Sequence, residues 1–355
     1  MIHHPAFGIC GYSGSGKTTL IVELIRRLSE RGLKVGVVKH DVHGLNVDRE
    51  GKDSDRFFKA GADVLMRGRD ELFLRAHQGD EAELETVLRL LGPHYDLLLL
   101  EGHKSTPLVD KVWLLKDDEE RCPPEAVNVK RVLRRDEDRV GLVLQMVEDW
   151  LAAQWLSVPV YAGVLIGGES RRMGRPKHLL PASGGLTWVE RIVSVAEPLA
   201  GQMVLLGKGE VPPSLQRLPA LHDVEDKEGP LAGILAAMRW RPEVSWLFLS
   251  CDTPKLSEEA LRWLLANRKP GVWAVLPRRA DPGAVEPLPG WYDFRSRRLL
   301  EACRGPAALA GNAKVATPLI PRELAAAWTN VNSGSELEQE MPDCPAPPFP
   351  LGCGF

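Results

Sequence analysis

Short apolar runs alternate along this chain with longer stretches in which apolar residues return every three or four positions. Phe7 to Cys10, Lys34 to Val38, Leu97 to Leu100, Tyr161 to Ile166, Met203 to Leu206 and Trp246 to Ser250 read as short, mostly buried strands. Leu20, Ile21, Leu24, Ile25 and Leu28 fall at helical spacing, and Gly32 stands where a C-cap glycine belongs. Val143, Val147, Trp150, Leu151 and Trp155 give a second helical pattern between Leu142 and Leu156, with Glu148 and Asp149 on another side. Asp48 to Ala62 reads as a charged turn leading into a helix, and Thr187 to Leu199 as a helix. Pro230 suits the first turn of another, because its missing N–H would be unpaired there anyway. The pattern predicts an α/β fold.

At 355 residues the chain exceeds the ~250–300 at which single cores stop growing, so two domains are expected. Ser157-Val158-Pro159 breaks the helix pattern, because proline and the residue before it both resist helix continuation. We therefore expect domains at 1–157 and 158–340, and a disordered tail over 341–355, which is rich in proline. The formal charge of −3 gives no global field for nucleic acid or an anionic membrane, so phosphate binding must come from local loops. No apolar run approaches the ~20 residues of a membrane span, and the N-terminus lacks a signal-peptide pattern. The six cysteines are scattered, without Cys-x-x-Cys or metal-ligand spacing. These features point to a cytoplasmic protein with reduced thiols.

Two glycine loops carry the chemistry. The first, Gly11-Tyr12-Ser13-Gly14-Ser15-Gly16-Lys17-Thr18, fits the phosphate-loop pattern at every fixed position, between a strand and a helix. Its glycines let successive N–H groups wrap a β-phosphate, Lys17 reaches the β/γ oxygens, and the Thr18 hydroxyl ligates Mg²⁺. Gly11, Gly14, Ser15, Gly16, Lys17, Thr18 and Thr19 are the candidate nucleotide contacts. Glu101 ends an apolar strand and is the candidate Walker B-type acid. After the second strand, Asp41 could reach the magnesium shell and His40 or His43 a phosphate, although for each histidine singly a polar loop with a turn at Gly44 is the better explanation. The loop, with Val38-Lys39-His40-Asp41, Gly51-Lys52-Asp53-Ser54, Lys59-Ala60-Gly61-Ala62 and Leu100-Glu101-Gly102-His103-Lys104, resembles the MobB family of P-loop GTP-binding proteins associated with molybdenum cofactor biosynthesis. His103 stands where that family usually has an aromatic residue. The resemblance implies a P-loop NTPase fold, GTP binding with slow hydrolysis at most, an adaptor role, and a tendency to form homodimers through this domain.

The second loop runs from Gly167 to Lys177. Gly167 and Gly168 let the backbone approach a ligand, and Arg171, Arg172, Arg175 and Lys177 bring positive charge to the same place. That suits a nucleoside triphosphate attacked at its α-phosphate, although a Gly-rich turn followed by a basic surface loop explains this stretch alone equally well. Downstream, Asp223 precedes Gly229-Pro230-Leu231-Ala232-Gly233, and Asp252 closes a strand where one carboxylate can bind Mg²⁺. Leu165 to Gly168, Arg172-Met173-Gly174 and Lys177, the Asp223 segment, Ser250-Cys251-Asp252-Thr253-Pro254 and Asn330-Val331-Asn332-Ser333 resemble, in order, the motifs of the MobA family, the molybdenum cofactor guanylyltransferases.

That resemblance implies a Rossmann-like nucleotidyltransferase domain following the P-loop domain. It would place GTP on Leu165, Ile166, Gly167, Gly168 and Lys177, the nucleoside on Asp223, Mg²⁺ on Asp252, and the molybdopterin cofactor on Asn330 and Asn332. Arg172 and Lys177 would neutralise the triphosphate in the transition state. The implied partners are GTP, molybdopterin cofactor, other cofactor-biosynthesis proteins and molybdoenzyme apoproteins. Ile166 replaces the family's usual alanine, Leu205-Leu206-Gly207-Lys208 lacks an asparagine often near the base, and Glu286-Pro287 stands where His-Pro is common. A cytidylyltransferase of the same cofactor, a sugar-phosphate nucleotidyltransferase, a GTP-binding scaffold with a silent second domain and a P-loop kinase stay open from the residues alone.

Overall fold

The computed structural model describes residues 5–40, 48–77, 83–167, 176–280 and 285–331, together with Glu336. Gly168, Arg172 and Asn332 lie outside the described residues, as do Asp41, His43 and the proline-rich tail. The chain divides into two compact units, the first ending at Leu151 and the second beginning at Ala152. Both are α/β, and among the described residues no helix is long and apolar enough to cross a membrane.

The first unit contains β1 (Ala6–Cys10), α1 (Lys17–Glu30), β2 (Val35–Lys39), α2 (Asp53–Lys59), β3 (Val64–Arg67), β4 (Leu72–Arg75), α3 (Leu84–Leu91), β5 (Leu97–Glu101), β6 (Asp110–Leu114), β7 (Val129–Leu133) and most of α4 (Arg139–Ser157). Its main sheet is wholly parallel, in the order β2-β5-β1-β6-β7. Parallel strands are covered on both faces, which is why Leu97 to Leu100 form an unbroken apolar run with no exposed surface. β3 and β4 make a separate antiparallel ribbon.

The second unit continues with β8 (Val160–Leu165), α5 (Trp188–Ala196), β9 (Gln202–Leu206), β10 (Ala220–Leu221), α6 (Pro230–Trp240), β11 (Ser245–Ser250), α7 (Glu258–Ala266), β12 (Ala274–Val275), β13 (Gly290–Tyr292), α8 (Arg297–Glu301) and β14 (Val315–Ala316). Its sheet runs β10-β9-β8-β11-β13-β12-β14. The first four strands are parallel, and β13 then pairs antiparallel with β11. The carboxyl ends of β10, β9, β8 and β11 therefore open on one edge, where an α/β sheet takes its ligands. α5 is fixed by a capping box: Thr187 Oγ1 accepts from the Glu190 backbone and the Glu190 carboxylate accepts from Thr187 N–H. α6 starts at Pro230, as the sequence predicts.

Packing beneath that edge leaves no slack at Gly163. A Cβ there would sit 2.7 Å from Leu206 Cδ1 and 2.8 Å from Phe248 Cδ1, both in fully buried side chains. Gly163→Ala should destabilise the second unit by about 1–3 kcal/mol through overpacking, read as a lower denaturant midpoint at unchanged m-value.

Candidate functional site

In the first unit, β1 delivers the phosphate loop, and its register places Ile9 beside Glu101 on β5. Gly11, Gly14 and Gly16 adopt φ of 151°, 80° and 93°, which non-glycine residues rarely adopt. At Gly11 a side chain is excluded twice over, because a Cβ would also lie 2.6 Å from the Leu114 carbonyl. Gly16 leads into α1, and Thr18 and Thr19 lie in the first turn of that helix. Lys17 Nζ donates to the Tyr12 carbonyl at 3.0 Å, folding back over the loop. Thr18 Oγ1 donates to Glu101 Oε1 at 3.4 Å, so the two predicted magnesium residues meet across 83 residues of chain. Two hard oxygen donors so placed fit a Mg²⁺ ion.

Around this pair, Cys10 Sγ donates to the Gly102 carbonyl at 2.9 Å, and burial pushes its thiol up to about 11. Such a thiol is a packing group, inert as a nucleophile at neutral pH. The His40 and His103 rings lie 5.0 Å apart between centroids. Burial, reinforced by the neighbouring His40 and Lys111 charges, lowers the His103 pKa. Lys111, fully buried on β6, donates to the carbonyls of Thr106 at 2.5 Å and Lys104 at 3.4 Å, tethering the segment that follows Glu101. Gly8, opposite Lys111 in the register, makes room for it, since a Cβ there would come 2.7 Å from Lys111 Cβ.

In the second unit, a cavity of about 570 Å³ opens at the strand ends, and Leu165, Ile166, Gly167, Lys177, Asp223, Asp252 and Asn330 all line it. Those predicted residues that are described are thus brought together. β8 and β11 pair with Leu165 beside Ser250, which sets Gly167 and Asp252 at neighbouring strand ends. Asp223 follows β10, two strands from β8, and must reach over the end of β9. Glycine permits this: a Cβ on Gly207 would lie 2.7 Å from the Gly167 backbone. The Asp223 carboxylate consequently comes to 3.8 Å from the Cβ position of Gly167 and 3.2 Å from that of Gly233.

Asp252 is held from two sides. Ser250 Oγ donates to its Oδ1 at 2.5 Å, and its own carbonyl accepts from Val331 N–H at 2.8 Å. The second contact ties the segment carrying Asn330 directly to the metal candidate. Asp252 Oδ2 accepts no hydrogen bond among the described residues, and a hard oxygen donor on a residue that lines the cavity fits Mg²⁺. The Asn330 side-chain oxygen is buried with no hydrogen-bond partner among the described residues, so it is an acceptor that a ligand N–H could satisfy. Cys251 is buried, and desolvation pushes its thiol far above the usual range, consistent with packing.

Sequence reasoning did not single out His178 or Arg139, and treated Glu286 only as a departure. His178 and Glu286 both line the cavity, Glu286 paired to Arg279 Nε at 2.6 Å. His178 Nε2 lies 2.8 Å from the Glu210 carbonyl and so carries the proton of the neutral ring. Burial lowers the His178 pKa below its unfolded value of about 6.5. Below that value the unfolded chain binds a proton that the folded chain resists, so stability is lost as pH falls. Urea unfolding of the second unit between pH 7.5 and 5.5 should show this loss, at most about 1.4 kcal/mol per pH unit. His178→Asn should flatten the slope.

Comparison with known proteins agrees with this division. Residues 6–133 match the family described as molybdopterin guanine dinucleotide synthesis protein B, MobB. Residues 162–325 match the MobA-like NTP transferase domain. A molybdopterin-guanine dinucleotide biosynthesis adapter protein of Haemophilus influenzae is 34% identical over 163 residues, 41% of this chain and 89% of that one. A probable molybdenum cofactor guanylyltransferase of Bacillus thuringiensis is 31% identical over 148 residues, 40% of this chain and 72% of that one. The chain belongs to both families. A molybdenum cofactor biosynthesis bifunctional protein of Synechocystis, 31% identical over 144 residues, shares 38% of this chain and 39% of its own length. The phosphate loop with Glu101 thus lies in the MobB half, and the cavity with Asp223 and Asp252 in the MobA-like half.

Proposed function

We propose that the MobA-like half transfers GMP from GTP to the phosphate of molybdopterin cofactor, forming the guanine dinucleotide and releasing pyrophosphate. The observation that carries this is the convergence of Lys177, Asp223, Asp252 and Asn330 on one cavity at the ends of parallel strands. An oxygen of the acceptor phosphate attacks the α-phosphorus. The bond from that phosphorus to the bridging oxygen breaks, and pyrophosphate leaves with the electron pair. Little covalent chemistry falls to the protein, which must position both substrates and neutralise charge. Gly167 lets the backbone approach the triphosphate, and Lys177 supplies positive charge to it, with Arg172 assigned the same task from the sequence. Asp252 would hold Mg²⁺, which when bound neutralises phosphate oxygens. Asp223 faces the nucleoside, and Asn330 offers its unpaired oxygen to an N–H of the pterin, with Asn332 assigned beside it from the sequence.

The MobB half binds GTP on Gly11 to Thr19, with Thr18 and Glu101 at its magnesium, and serves as an adaptor to other cofactor-biosynthesis proteins and molybdoenzyme apoproteins. Fusion raises the local concentration of one module near the other.

The test is pyrophosphate release with Mg²⁺ and molybdopterin cofactor, supplying GTP, CTP and ATP separately. Release with GTP alone supports the reading. Release with CTP alone would keep the mechanism and overturn the base assignment, and silence with all three, against an active control enzyme, would favour the scaffold.

A further inference from the structure

Arg139, the first residue of α4, places its guanidinium among backbone carbonyls at the phosphate loop. Nη1 donates to the Ser15 carbonyl at 2.7 Å, Nε to Arg134 at 2.8 Å, and Nη2 to Leu133 at 3.1 Å and to Leu115. Leu133 closes β7 and Leu115 follows β6, so one rigid fork joins the loop to two strand ends. No carboxylate pairs with Arg139 among the described residues, and burial lowers its pKa. Stability alone does not account for this placement. A cation at a helix N-terminus meets the positive end of the helix dipole, and the cost of its desolvation is only partly offset by the charges of Glu137, Asp117 and Asp136.

What the fork fixes is the peptide plane between Ser15 and Gly16. In a trans peptide the carbonyl and the following N–H point in opposite directions. With the Ser15 carbonyl turned onto Arg139, the Gly16 N–H must point away from the guanidinium, to the loop's other side. Polarisation of that peptide by a cation also makes the Gly16 N–H a stronger donor. Gly16, at φ 93°, has its Cβ position 3.6 Å from Arg139 Nη1, so the guanidinium backs directly onto this residue.

We propose that Arg139 is a positioning residue of the phosphate loop, aiming the Gly16 N–H at the β-phosphate of the bound nucleotide and thereby setting affinity for di- and triphosphates. This rests on the MobB half binding nucleotide. Sequence gives no hint of it, because Ser15 and Arg139 are 124 residues apart and the acceptors are main-chain atoms.

The test is an amide-resonance titration of the full ¹⁵N-labelled chain with GDP and with GMP, following residues 11–19 so that only this site is read. Arg139→Met should weaken GDP binding about 10–100-fold, the scale of a lost charge-assisted hydrogen bond, and leave GMP within about 2-fold. The Gly16 amide shift on GDP binding should shrink, a signature that a merely structural role would not move. Arg139→Lys, which keeps the charge and loses the fork, should also weaken GDP binding, and it carries the test if the methionine variant does not fold. GDP affinity within about 2-fold of wild type in both variants, while Lys17→Ala loses binding, would overturn the proposal. So would equal weakening of GDP and GMP, which would mean general disruption. A wild-type chain whose loop amides respond to neither nucleotide would remove the underlying reading, and the proposal with it.

Discussion

On the proposal that Asp252 holds Mg²⁺, Asp252→Ala should reduce nucleotidyl transfer by at least about a thousand-fold, because losing that ligand would remove several kcal/mol of transition-state charge stabilisation. Asp252 sits at the carboxyl end of β11, with Oδ1 occupied by Ser250 and Oδ2 free of hydrogen bonds among the described residues. The variant should fold, since its backbone bond to Val331 survives the substitution. Pyrophosphate release would fall to background while GDP binding at residues 11–19 stays intact. Asp252→Asn separates charge from shape: it keeps the hydrogen bond from Ser250 and loses the anion, so it should be nearly as inactive. Transfer at wild-type rate in Asp252→Ala would place the metal elsewhere in the cavity.

Lys17→Ala should do the reverse. It should abolish measurable nucleotide binding by the MobB half, a loss of about 100-fold or more for a charge-assisted contact to phosphate with few substitutes. Lys17 Nζ rests on the Tyr12 carbonyl, an exposed contact that a bound phosphate would replace, so its removal should leave the fold unchanged. Transfer assayed with saturating free cofactor should persist. A fall in transfer equal to that of Asp252→Ala would show that the second site depends on occupancy of the first.

The two substitutions are expected to separate because each residue stands in a local motif, and this is also why both positions were legible in the sequence as candidates. Lys17 and Thr18 are fixed by a contiguous pattern, and Glu101 and Asp252 by standing where apolar strands end. Strand ends on one edge of a parallel sheet must converge, so reading the strands was enough to bring Gly167 and Asp252 together, whereas Asp223 was read from the entrance of the helix at Pro230 and from the family resemblance, its short strand β10 having gone unread. Arg139 and Lys111 were invisible for the opposite reason. Their partners are carbonyl oxygens, which every residue carries, reached from distant strands. A buried lysine in Asp110–Leu114 also breaks the apolar pattern that marks an interior strand, and only the glycine opposite it explains the accommodation. His178 was hidden because its role depends on enclosure, which adjacent residues do not reveal.

α4 gives the fusion a practical character. Trp150, on this helix, meets Phe7 edge-on at 5.5 Å between ring centroids, whereas Trp155, five residues on, lies beneath the Arg295 guanidinium at 4.4 Å. The helix ends at Ser157 and β8 begins at Val160, and even the intervening Pro159 accepts hydrogen bonds from the backbone and hydroxyl of Ser245. Cutting the gene there would strand an aromatic side chain from its cation on one side, or shorten the helix that carries Arg139 on the other. Expressing either half alone therefore calls for an end point chosen with the contacts of Trp150, in the first unit, and Trp155, in the second, in view.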